Sequence, residues 1–273
     1  ALDIRYREQH DVLYVLFIVV LTFFAPGMMS MQQLIVNSLQ WVRVKREIDS
    51  GMYGAFAYWV VFSVFSAAVV MALSFSVLLP MYALADFSAK SLPQVVVLLL
   101  ALFANFDALA ELLCYDGREM GLLNLLGYLT FMALGSGCFV SVDDVIWPFK
   151  LFYHIAFSHW FLTGTMNAVF KNSEDFSGAV LADNAVGFEC DQGEVVCYGA
   201  TGEQILSSLH FSYSAVDADV SFGECIGWMF LHAAVVKLFA MIRVFAETAP
   251  KKSKRIASTP AGAATETSKL LAS

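Results

Sequence analysis

Ser50–Ala85, SGMYGAFAYWVVFSVFSAAVVMALSFSVLLPMYALA, separates Asp49 from Asp86 with no charged residue between them. A helix needs about 20 predominantly apolar residues to cross roughly 30 Å of hydrocarbon, and this run exceeds that length. Lipid offers a backbone no hydrogen-bond partners, so such a segment is helical throughout. Two more charge-free runs flank it, from Asp11 to Arg43 and from Glu119 to Asp143.

The composition agrees. Apolar residues make up 59% of the chain, charged residues only 15%, and 24 residues are Phe. Soluble domains carry about 25% charged residues because they face water on every side. The net charge of −8 says little, since in a membrane protein its distribution matters more than its sum. The five cysteines show no CxxC spacing, so no metal site is expected, and nothing suggests nucleic-acid binding.

Two further segments read as spans that contain ionisable groups: Leu92–Leu113 with Asp107 and Glu111, and Phe222–Phe245 with His232 and Lys237. The expected fold is therefore all-α, a polytopic transmembrane bundle of about five spans. They lie near 12–39, 57–82, 92–113, 121–141 and 222–245, within a membrane domain covering 1–247. No charged n-region, apolar core and small-residue cleavage site open the chain, so no signal peptide is expected. Residues 248–273, rich in Ala, Ser and Thr and without aromatics, read as a disordered tail.

Basic residues set the orientation. Arg43, Lys45 and Arg46 follow the first span, Arg118 follows the third, and Lys251, Lys252, Lys254 and Arg255 follow the last. With five spans, all three groups fall on one face, which makes it cytosolic and puts the C-terminus inside. The other face receives the loop 142–221, which sets only Lys150 and Lys171 against eleven carboxylates. Its aromatic stretch Phe149–Phe170 (FKLFYHIAFSHWFLTGTMNAVF) reads as short helices that dip into the outer leaflet and return. Farther on, Glu189–Gly202 (ECDQGEVVCYGATG) carries Cys190 and Cys197. On an oxidising face two such close cysteines usually pair, contributing about 2–3 kcal/mol in the chain-entropy model; the alternative is two free thiols.

The order of these features resembles the membrane domain of a G-subfamily ATP-binding-cassette exporter, the ABC-2 type transporter family. There a cytosolic R-E-x-x-S-G-x-Y pattern forms a coupling helix, matched here by Arg46, Glu47, Ser50, Gly51 and Tyr53. A small-residue step before an outer plug is matched by Ser136, Gly137, Cys138 and Phe139. A re-entrant aromatic stretch ending in Asn-x-Phe is matched by Asn167–Phe170 with one residue extra. A Cys pair followed by T-G-E-x-x-L is matched by Cys190, Cys197 and Thr201–Leu206. The likeness covers about residues 10–247, without the family's first span. The resemblance implies a dimer with its cavity between spans 12–39 and 121–141 of two protomers. It also implies ATP and Mg at a nucleotide-binding domain, since this sequence has no GxxxxGK[ST] P-loop. The implied cargo is lipid-like or hydrophobic, and the membrane is the plasma membrane or that of an organelle.

Asp107 and Glu111 are four apart and share a helix face. Intramembrane acids are costly and point to function by default, here a cation or proton path. They also lie about 15 and 19 residues in from Leu92, so the plainer reading is a helix end reaching inner headgroups or water. Lys237 is expected to snorkel toward the inner surface. Three functions follow: an ATP-driven exporter, a cation channel or proton-coupled carrier using Asp107 and Glu111, and a membrane-embedded enzyme around His154 and His159. The third lacks a GxSxG or HExxH motif, and the histidines then read as polar tips of amphipathic helices.

Overall fold

The computed structural model describes residues 11–85, 88–138, 145–148, 150–172, 179–181, 188–190, 197–213 and 219–249. The helices are α1 (Asp11–Asp49), α2 (Ala55–Ala85), α3 (Leu92–Cys114), α4 (Arg118–Gly135), α5 (Lys150–Ile155), α6 (Phe157–Phe170), α7 (Gly202–Tyr213) and α8 (Phe222–Thr248). Between α6 and α7, the strands β1 (Ala179–Leu181) and β2 (Phe188–Cys190) pair antiparallel, a small departure from an all-α chain. Among the described residues four helices, α1, α2, α3 and α8, are long and apolar enough to cross a bilayer.

The expected fifth span, 121–141, is corrected to α4. This helix begins earlier, at Arg118, and ends at Gly135, giving 18 residues or about 27 Å. Arg118, Glu119 and Asn124 dilute its apolar character. Beyond it Ser136 turns the chain and Gly137, at φ 76°, takes a left-handed conformation that continues no helix. Residues 139–141 lie outside the described residues.

α3 is the central pillar. Both its faces are covered, with Leu98, Leu99 and Leu102 at 0% exposure, and it packs on α1, α2, α4, α6 and α8. α1 runs parallel to it, since Leu34 clusters with Ala110 and Trp41 packs edge-on against Tyr115 at 4.7 Å. α4 runs antiparallel to α1, with Gly121 against Leu34 and Gly27 against Leu129. α2 is peripheral: Val61, Val64, Phe65 and Leu79 are 67–71% exposed. Water would not favour so long an apolar flank, which suits hydrocarbon.

The basic groups 43–46 and Arg118 come to one end of the bundle. Lys45 Nζ lies 2.6 Å from Glu247 Oε2, and Arg243 Nη2 2.6 Å from Asp116 Oδ1. The tail cations 251–255 lie outside the described residues.

α6 occupies the other half. It starts deep, with Phe157 against Phe106 at 5.1 Å, and emerges at the far end, where Asn172 bonds Gln94 near the start of α3. Every residue of α6 but Trp160 is buried. Lipid tails are as apolar as Leu, so such a helix is held by close packing and hydrogen bonds. Gly164 permits that closeness: a Cβ there would lie 2.9 Å from Leu98 Cδ2 and 3.2 Å from Cys225 Cβ.

α7 caps this end through Gly202, where a Cβ would meet the Phe170 carbonyl oxygen at 2.0 Å. A backbone atom cannot step aside, so Gly202→Ala should lower stability by about 1–3 kcal/mol, read by thermal unfolding in micelles. Gly227→Ala, in open space on α8, should be silent. Equal stability of both variants would mean that α7 does not sit on α6 in solution.

Candidate functional site

α3 brings its two acids into the bundle instead of to headgroups or water. Asp107 is 4% exposed and Glu111 0%. Lys237 on α8 reaches both, at 2.7 Å from Asp107 Oδ2 and in close contact with Glu111 Oε2. Ser66 on α2 donates its hydroxyl to Asp107 Oδ1. Three helices are thus tied at one level. Two expectations are corrected here, the solvated helix end and the snorkelling lysine. The physical reason is that α3 turns the face bearing Asp107 and Glu111 into the bundle and α8 runs parallel beside it, so the ammonium meets two buried carboxylates.

Two carboxylates share one ammonium, and among the described residues no other cation forms an ion pair with either acid. The second Glu111 oxygen, Oε1, is buried without a well-formed hydrogen bond, with the Trp59 indole of α2 near it.

One level outward lies a neutral network. His232 Nδ1 is 2.6 Å from Asn105 Oδ1, and its Nε2 is 2.9 Å from the Tyr128 hydroxyl. One tautomer satisfies both, with Nδ1–H donating to Asn105 and Nε2 accepting from Tyr128. Asn105 Nδ2 donates to the carbonyls of Ala101 and Met229, at 2.7 and 3.0 Å. α3, α4 and α8 are joined there.

Sequence reasoning missed the partners His232 and Lys237. It also missed four amides of α1, Gln32, Gln33, Asn37 and Gln40, which line a cavity of about 400 Å³ between α1 and α2 with Asp107 at its floor. The signal was present: positions 33, 37 and 40 fall on one helical stripe, and polar residues inside a span rarely face lipid.

At the basic end, residues 43–53 are not a separate short helix. α1 continues unbroken to Asp49 and then turns, with Gly51 at φ 78°. The turn is closed by Ser50 N, Gly51 N and Met52 N bonding back to the carbonyls of Arg46, Ile48 and Glu47. Glu47 accepts from Arg43 Nε at 2.8 Å and from the Tyr53 hydroxyl at 2.7 Å. Burial and that carboxylate push the Tyr53 hydroxyl above its ordinary range.

At the other end, Ser136 Oγ donates to the Ala133 carbonyl at 2.6 Å and accepts from Cys138 N at 3.2 Å. Phe139 lies outside the described residues, as do Asp143 and Asp144. Cys197 is disulfide-bonded, whereas Cys114 and Cys138 are free thiols. The side chain of Cys190 lies outside the described residues. His159 is not a polar tip: it is 3% exposed and packed between Tyr153 and Trp160. The reason is that α6 is enclosed on nearly all sides. Among the described residues no three potential ligands gather for a metal ion.

Compared with known proteins, the chain matches no family model and no curated sequence.

Removing one partner of a buried ion pair leaves uncompensated charge, so Lys237→Met should destabilise the bundle by about 3–5 kcal/mol. Adding Asp107→Asn and Glu111→Gln to that variant should recover most of the loss, measured by thermal unfolding in the same micelles. An unrecovered loss would assign Lys237 a role in packing, not charge.

Proposed function

We propose that this chain is the transmembrane part of an ATP-driven exporter of the ABC-2 type, moving lipid-like or other hydrophobic molecules by alternating access. The observation that carries this reading is the build of the Arg46–Tyr53 segment. It is continuous with a spanning helix, closed by a clasp of Arg43, Tyr53 and Glu47, and bent at a left-handed glycine. A rigid lever fused to a span is what a moving nucleotide-binding domain needs in order to shift that span. The deep start of α6 supports re-entrant helices at the outer face, and a Cys190–Cys197 bridge would close the loop behind them. On this reading the basic end is cytosolic, a dimer supplies the full pathway, and ATP and Mg act on the separate domain.

A second reading, a proton-coupled carrier or cation channel, is favoured by one observation. Asp107, Glu111 and Lys237 form a charged cluster in the span region, with Asp107 facing a cavity.

In the assembled transporter, reconstituted with its nucleotide-binding domain, Glu47→Ala should cut transport per ATP hydrolysed by more than about tenfold, since a charge-assisted contact contributes about 1.5–3 kcal/mol. Tyr53→Phe should act in the same direction, more weakly. Unchanged transport per ATP in Glu47→Ala would remove the coupling role. Peptide mapping without reductant should recover Cys190 and Cys197 in one cross-linked fragment; separate thiol-bearing fragments would remove the bridge.

A further inference from the structure

The cavity between α1 and α2 is used by neither the lever nor the plug. Among the described residues, Gln32, Gln33, Asn37 and Gln40 form no side-chain hydrogen bond within the chain, although all four line it. An amide facing bare hydrocarbon is costly, so this stripe faces something it can bond. The α2 wall adds two aromatic rings, Phe62 and Phe65, and the apolar side chains Val69 and Leu73. Among the described residues no cationic side chain lines the space. Among the described residues that line it, Asp107 at its floor carries the one charged side chain.

We propose that this cavity binds a hydrophobic amine, a ligand with one ammonium on an apolar body. The ammonium lies between the amide oxygens of α1 and the face of the half-buried Phe62, where cation–π attraction strengthens with desolvation. Asp107 keeps its bonds to Ser66 and Lys237 and acts on the ligand through its charge. The apolar body rests against Val36, Val69 and Leu73. A neutral alcohol of equal length meets the same amides and walls but gains neither charge term. This inference concerns binding and stands apart from the energy source of transport.

The test uses the full chain in nanodiscs, with radiolabelled n-decylammonium and 1-decanol as probes and empty nanodiscs as the blank. Decylammonium should bind saturably and tighter than decanol by about tenfold. Asp107→Asn should weaken it by a similar factor. The double variant Gln33→Leu, Asn37→Leu should also weaken it; it only adds apolar groups to a spanning helix, so it keeps the proposal testable if Asp107→Asn misfolds. Equal affinity for amine and alcohol, no saturable binding, or a double variant that binds like the parent would each overturn the site. ATP is absent throughout, so failure here leaves the exporter reading intact, and failure of coupling by Glu47 leaves the site intact.

Discussion

Lys237 between Asp107 and Glu111 is the constraint on which the rest of the bundle depends. In a medium without water, a buried acid is tolerated only if another part of the chain reaches it. That requirement forces α8 to lie parallel to α3 in a single register, since a shift of one residue would carry the ammonium away from both carboxylates. Ser66 then sets the depth of α2 against the same acid. Three helices distant in sequence are thereby aligned by one group of charges.

The polar layers above and below extend the same logic. The Asn105–His232–Tyr128 network adds α4 to α3 and α8, and the Asp116–Arg243 and Lys45–Glu247 pairs close the basic end. Between layers the contacts are apolar and depend on shape. Hydrocarbon supplies no hydrophobic force between helices, so packing and polar ties must do what water does for a soluble core. Glycines at 121 and 202 sit against neighbouring backbone carbonyls, and Gly164 against the side chains of Leu98 and Cys225.

Both ends of the molecule follow from this frame. At the basic end α1 outruns the bundle by several residues and carries the Glu47 clasp on a rigid stem. At the other end α6 fills the space that α4, a short helix, leaves between α1, α3 and α8. The cavity between α1 and α2 exists because α2 packs through the stripe Ser66, Val70, Ser74 and Leu78, mainly on α3, and touches α1 little, which leaves the amide stripe of α1 uncovered.

Much of this was legible in the residues. The charge-free runs around Ser50–Ala85 determine helices long enough to span, because hydrocarbon thickness and the helical rise leave no other solution. The spacing of Arg43, Lys45, Arg46 and Arg118 determines that they share one end, because each span reverses the chain. Gly51 announces a bend, and Asp107 and Glu111 announce a site. Sequence alone did not say that the acids are buried and paired, that Lys237 turns inward, that α4 stops at Gly135, or that His159 is enclosed. Those outcomes depend on which helix stands beside which and at what rotation. Along one chain, period and charge report distance from water. Only the packed bundle decides which of several apolar or polar faces meets a neighbour, since that choice is made by complementary shape and charge across residues more than a hundred positions apart.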